Sequence, residues 1–152
     1  MAKSGIISAI HQGSLAEELE LVPGDKIISI NEQELTDIID LRFALADEEI
    51  EMLIEHENGE QEIIAFEKDI DEELGAEFES AVFGKIRQCA NNCYFCFVDQ
   101  VAPNMRDSLY IKDDDYRLSF LYGNFVTMTN MGPRDLERIH RLHLSPLYIS
   151  VH

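Results

Sequence analysis

The chain of 152 residues has no tryptophan, 4 prolines, 8 glycines and 12 basic side chains against 30 acidic ones. The shortage of positive charge, a net −18, argues against nucleic acid or an anionic membrane surface as a partner. No apolar run approaches membrane-spanning length. The opening MAKSGIISAIHQGS has one lysine and a very short apolar stretch, too little for a secretory signal. These absences point to a cytoplasmic protein whose thiols stay reduced. The three cysteines, an odd number, then indicate metal or catalysis rather than disulfides. What is present is a globular composition, 45% hydrophobic, which is not that of a disordered chain.

Charge divides the sequence. Residues 1–80 contain 23 acidic and 4 basic side chains, whereas residues 81–152 contain 7 and 8. The break suggests two domains. In the first, Gly5–Ile10 suits a strand, and Ser14–Leu19 suits a short helix with Ser14 as N-cap and Glu17 in capping-box spacing. Val22-Pro23-Gly24-Asp25 reads as a turn, Lys26–Asn31 as a strand, and Thr36–Ala46 as a helix with Ile38, Leu41 and Leu45 on one face. Ile50, Met52 and Ile54 alternate along a strand, Asn58-Gly59 predicts a type I′ hairpin turn, and Glu62–Phe66 is the returning strand.

The pieces Gly13-Ser14-x-Ala16, Leu21-x-x-Gly24-Asp25-x-Ile27 and Ile30-Asn31, in that order, resemble a PDZ domain of the bacterial, circularly rearranged kind. A domain over residues 1–67 is expected. The resemblance implies binding of an extended peptide or protein segment by strand addition, with the receiving loop at Gly5, Ile6 and Ile7. The alternative is a domain that docks only onto its own chain. Residues 68–79, strongly acidic around Gly75, read as an extended linker.

All three cysteines fall in CANNCYFC, at Cys89, Cys93 and Cys96. C-x3-C-x2-C lets one short loop turn three sulfurs inward, and thiolate is a soft ligand for zinc or an iron–sulfur cluster. Lys85 and Arg87 just before the loop offset negative charge. A structural zinc site needs a fourth protein ligand, and Asp99, His140 and His143 offer themselves without characteristic spacing. A [4Fe–4S] cluster held by three cysteines keeps one iron open for a substrate or cofactor.

With Phe95 immediately before the third cysteine, the motif resembles that of radical S-adenosylmethionine (radical SAM) enzymes. The resemblance implies a [4Fe–4S] cluster on Cys89, Cys93 and Cys96. It implies S-adenosylmethionine on the open iron, an electron donor, and cleavage of the cofactor to a 5′-deoxyadenosyl radical. Phe95 is then expected near the adenine. Gly123 and Asn124 are expected where the superfamily has a Gly-Gly-Glu-like stretch holding the cofactor's amino group, although this chain has no glutamate there. Residues 81–87 read as a buried strand entering the loop, Phe125–Thr129 as a strand, Gly132–Leu142 as a helix with Pro133 at its first position, and Pro146–Val151 as a strand. Strand, helix and strand make a βαβ unit with a right-handed crossover. The expected fold class is therefore α/β with α+β. An α+β PDZ-like domain precedes, over residues 80–152, the first βα units of a partial (β/α)6 barrel, and the whole reads as a fragment of a longer protein. Together, the PDZ-like front, CANNCYFCFVDQ and LYIKDDDYRLSFLYGNFVTMTN resemble a bacterial domain-of-unknown-function group that joins PDZ to a radical SAM core. That resemblance implies architecture and cofactors but no particular substrate.

Other residues read more plainly. Asp113-Asp114-Asp115 lacks the alternation of a calcium loop and suits a turn or helix start. Arg106 and Arg117 are candidate carboxylate clamps or surface ion-pair partners, and His140 and His143 lie near a solvent-facing helix end. The competing function is a non-enzymatic PDZ interaction protein whose cysteine loop is a structural zinc knot.

Overall fold

The computed structural model describes residues 4–151; Met1, where the expected first domain begins, lies outside them. The chain forms two compact units, Met1–Lys85 and Ile86–His152.

The first unit is built on one antiparallel sheet. Its strands are β1 (Gly5–Ile10), β2 (Lys26–Ile30), β3 (Gln33–Glu34), β4 (Glu49–Glu55), β5 (Gln61–Glu67) and β6 (Ala76–Phe78). The order across the sheet is β5-β4-β2-β1-β6, with β3 paired to β2. The helices are α1 (Leu15–Glu18) and α2 (Ile38–Ala44). The expected cap of α1 is formed: Ser14 Oγ accepts from the Glu17 N–H at 3.4 Å, and Glu17 Oε2 accepts from the Gly13 N–H at 2.6 Å. For α2 the cap is Asp37, which accepts from the Ile39 and Asp40 N–H groups, both at 3.0 Å.

Alternation along β4 places Ile50, Met52 and Ile54 inside, each at most 2% exposed. They meet Ile7, Ile27, Ile30 and Leu35 in the core. A side chain of this size is worth about 1.5–3 kcal/mol when fully buried. From α2 it is Ile39, Leu41 and Ala44 that are buried, with Ile38 and Leu45 packed at the margin. The β4–β5 connection differs from the predicted type I′ turn. Gly59 N–H donates to His56 C=O at 2.8 Å and Gly59 alone takes a positive φ, +86°, so a type I turn over Glu57 and Asn58 is followed by one left-handed residue.

Residues 68–79, expected as an extended linker, belong to the first unit. Leu74 enters its core at 5% exposure, and Ala76–Phe78 pair with β1. The apolar residues Leu74, Ala76 and Phe78 are too few to show against the surrounding acids in composition, yet burial of that face outweighs the repulsion. Gly75 makes the approach possible. Its φ is +72°, and a Cβ there would stand 2.2 Å from Ser14 Cβ. Residues 81–87, expected as a strand entering the cysteine loop, form instead only an isolated bridge, Val82 to Asp37. Phe83 fills the first unit's core, 5.5 Å from the Phe78 ring.

The second unit contains a 3-10 turn (Asp107–Tyr110), α3 (Tyr116–Tyr122), β7 (Phe125–Val126), α4 (Pro133–Arg141) and β8 (Tyr148–Ile149). β7 and β8 run parallel with α4 between them, so the expected βαβ unit is present, with shorter strands. Pro133 opens α4, and Asp135 accepts from the Gly132 N–H at 2.8 Å. Its buried groups include Tyr116, Val126 and Leu144 but also Asp114, Asp115, Arg117 and Ser119.

Candidate functional site

The three cysteines share one irregular loop, all half-buried and unpaired by disulfides. Its entrance is fixed by a short antiparallel pairing. Cys89 N–H donates to Lys112 C=O at 2.7 Å, Asp114 N–H donates to Arg87 C=O at 2.8 Å, and Gln88 bridges Asp113. A turn follows in which Cys96 N–H donates to Cys93 C=O at 3.0 Å. Two bonds tie the loop to the residues just after β7: Asn91 Nδ2 donates to Thr129 Oγ1 at 2.8 Å, and Asn130 Nδ2 donates to Gln88 C=O at 3.2 Å. The loop thus sits at the carboxyl end of a parallel strand, where open α/β folds place their ligands.

Buried acids hold this arrangement. Asp114 accepts from the Thr127 N–H and hydroxyl at 2.6 and 2.7 Å. Asp115 caps α3 through the Arg117 N–H at 3.1 Å, accepts from the Arg87 N–H at 3.0 Å, and takes two bonds from the Arg117 guanidinium, at 2.8 and 2.6 Å. Burial alone pushes the Asp115 carboxyl up, but the Arg117 and Arg87 bonds outweigh it and hold it below the ordinary 3.8. Arg87 forks onto both oxygens of Asp135, and its guanidinium lies 5.5 Å from the centre of the Tyr116 ring. The Asp113–Asp115 run is therefore a helix start, as read, with two of its three carboxylates buried. Arg117, offered as a clamp for a ligand, is engaged by Asp115.

At the loop's exposed side, Lys112 pairs with Asp99 at 2.6 Å. The Lys112 bond holds the Asp99 carboxyl below 3.8, and a hydrogen bond with Cys96 lowers it further. Asp99 in turn raises the lysine above 10.5, with Coulomb contributions from Cys96 and Cys89. Lys112 thus lies within electrostatic reach of Cys96 and Cys89, a neighbour that spacing within CANNCYFC did not reveal because it is sixteen residues past Cys96. Phe95 is 41% exposed and meets Tyr94 edge-on at 5.0 Å. Among the described residues no three His, Cys, Asp or Glu side chains are gathered as a metal site. His140 and His143 lie with ring centres 6.3 Å apart.

Gly123 and Asn124 have other work. Gly123, at φ +79°, terminates α3 with its N–H on Ser119 C=O, and Asn124 Nδ2 donates to Asp113 at 2.8 Å. Both precede β7, whereas the cysteine loop is bonded to the residues that follow it. There Asn130 Oδ1 is buried without a hydrogen-bond partner among the described residues, a group that TMTN, with no glycine or glutamate, does not flag.

In the first unit, Gly5, Ile6 and Ile7 lie in a strand flanked by β2 and β6, so β1 offers no free edge. A Cβ on Gly5 would meet the Phe83 ring at 2.6 Å. On this side of the sheet the outer strand is β6, with β5 at the opposite edge. Gly75 C=O accepts from His11 N–H and Glu79 N–H donates to Ile6 C=O, both at 2.9 Å, so alternation turns the backbone of Ala76 and Phe78 outward. A groove runs between this edge and α2.

The class of protein follows from two matches. Residues 6–56 match the PDZ domain family, and residues 68–152, more than half of the chain, match the radical SAM-like domain family. The chain belongs to the radical SAM-like domain family and carries a PDZ domain before it. No curated protein matches the chain.

Proposed function

We propose that this chain joins a peptide-docking PDZ domain to the first βα units of a radical SAM core. Cys89, Cys93 and Cys96 hold a [4Fe–4S] cluster, and the same site binds S-adenosylmethionine. The observation that carries the reading is the C-x3-C-x2-C loop at the carboxyl end of β7, within residues that match the radical SAM-like family. The donor chemistry supports the reading: three thiols share one loop, Lys112 offsets their charge, and Asn130, whose Oδ1 is buried, bonds to Gln88 beside Cys89. A bound cluster supplies the single electron, drawn from a donor protein, that splits S-adenosylmethionine. The chain's own residues position and shield. Phe95 packs beside the adenine, Asn130 Oδ1 accepts from the cofactor's amino group in place of Gly123 and Asn124, and the Asp114–Thr127 bonds keep the strand end aligned. Exposed Phe125, Leu136, Tyr148 and Ile149 on the βαβ unit support the barrel reading, since further units of a (β/α)6 barrel cover such faces. A reducing cytoplasm suits free thiols. Peptide or protein docking belongs to the groove between β6 and α2 rather than to Gly5–Ile7.

The test is anaerobic reconstitution with iron and sulfide. About four irons and four sulfides per chain, with an electron paramagnetic resonance signal of the reduced protein that shifts on adding S-adenosylmethionine, is the expected result. Each cysteine changed to alanine abolishes it. One tight zinc with no sulfide uptake refutes the cluster reading and leaves the zinc-knot protein.

A further inference from the structure

The groove beside β6 has an apolar floor and an acidic end. Ile38, Leu41 and Leu45 of α2 face Ala76 and Phe78 of β6 across it. The segment that closes one end contributes Asp71, Glu72 and Glu73. Arg42 of α2 also lines the groove, but no ion pair joins it or any other cation to these three among the described residues. Lys68, near the base of the segment, is buried and gives its ammonium to the carbonyls of Asp69 and Ile70 at 2.7 and 3.4 Å. His11 is engaged by Glu77 at 3.0 Å. The domain around them carries 23 acidic against 4 basic side chains in residues 1–80. A peptide carboxylate seated on the amides near Leu74 and Gly75 would meet three carboxylates of its own sign, whereas the same field draws in lysine and arginine.

We propose that this groove takes an extended basic segment from the interior of another polypeptide, not an anionic C-terminus. The segment adds as a strand to β6 through the outward backbone groups of Ala76 and Phe78. Alternate side chains separate by face, apolar ones onto the floor formed with α2 and cationic ones toward Asp71, Glu72 and Glu73. This rests on assigning peptide docking to the β6–α2 groove and specifies the ligand's chemistry.

The full chain is used to select from two displayed libraries of random decapeptides, one ending in a free carboxylate and one embedded with both ends covered. Enrichment from the embedded library, with lysine and arginine at alternate positions, is expected. Amidated synthetic versions of those peptides then slow hydrogen exchange at the Ala76 and Phe78 amides. The double variant Glu72→Gln/Glu73→Gln weakens their binding about three- to tenfold, and raising salt to about 0.5 M does the same. Winners ending in a carboxylate, or bound equally by the double variant, overturn the charge assignment while leaving the groove in place. No winners from either library, or an exchange footprint away from β6 and α2, overturns the docking assignment itself.

Discussion

Asp115→Ala tests the scaffold of the cysteine loop more severely than any change within the loop. The carboxylate is fully buried and receives four hydrogen bonds, two from backbone N–H groups and two from the Arg117 guanidinium. Removing it takes from that guanidinium, in a residue 8% exposed, a fully buried counter-charge that gives it two hydrogen bonds. Breaking one partner of a buried pair costs about 3–5 kcal/mol, and loss of a helix N-cap accounts for ~1 kcal/mol of such an effect. Against a typical domain stability of about 5–15 kcal/mol, the second unit is left marginal. All five tyrosines lie between residues 94 and 148, so near-ultraviolet circular dichroism of tyrosine during urea unfolding follows this unit alone. The midpoint should fall steeply, and exchange at the Arg87 and Cys89 amides should quicken. The double variant Asp115→Ala/Arg117→Met separates causes. If the weakened pairing of the buried guanidinium is the main cost, removing it recovers about 2 kcal/mol. A single variant within about 1 kcal/mol of wild type, or a double variant as unstable as the sum of its parts, refutes the reasoning. The sign of the pH dependence is also fixed. The folded carboxyl is held below 3.8, so its contribution is present above that value and is lost as pH falls through the folded pKa.

Two further outcomes follow from charge placement. Lys112→Gln removes a positive charge that interacts electrostatically with Cys96 and Cys89, an attraction that salt screens. The ratio of alkylation rates by anionic iodoacetate and neutral iodoacetamide on the metal-free chain should fall about two- to fivefold, and an unchanged ratio refutes the placement. His56 is held above its ordinary 6.5 first by its bond to Asp25, at 2.9 Å, and then by Glu62. That contribution is full below 6.5 and is lost as pH rises through the folded value. Thermal unfolding of the first unit, followed by far-ultraviolet dichroism, should lose stability over that interval in wild type and not in His56→Gln.

Where burial follows a period, the sequence was readable. Ile50, Met52 and Ile54 alternate and are inside; Ser14 and Glu17 cap α1; Pro133 opens α4. β6 escaped because three residues are too few to show a period and its neighbours are mostly acidic, while its partner β1 lies some sixty-six residues earlier. The expected receiving loop at Gly5, Ile6 and Ile7 therefore took no account of β6, which pairs with that strand. α3 escaped as a helix interior because YRLSFLY has no polar stripe of helical spacing, although its Asp-rich start was visible. At the candidate site the three thiols were legible because they are adjacent in sequence. Lys112 and Asn130 were not, because each reaches the loop only after the chain has turned back on itself.

Exposed and buried acidic side chains serve opposite ends, and the difference lies in burial rather than in composition. In the first unit the carboxylates of the closing segment, Asp71, Glu72 and Glu73, stay in water, where each keeps its hydration and adds to a long-range negative field. In the second, Asp114 and Asp115 have left water, so each must recover the cost of desolvation from named donors: Thr127 for one, Arg87 and Arg117 for the other. A surface charge can be exchanged for glutamine with little structural effect, whereas a buried one fixes the geometry of whatever donates to it. The donors to Asp115 include the backbone of Arg87, two residues before Cys89, and those to Asp114 include the backbone just after β7. The two aspartates therefore fasten the start of the cysteine loop and the end of the strand beside it into one rigid frame, so the near-neutral charge of residues 81–152 hides the acids on which the site depends.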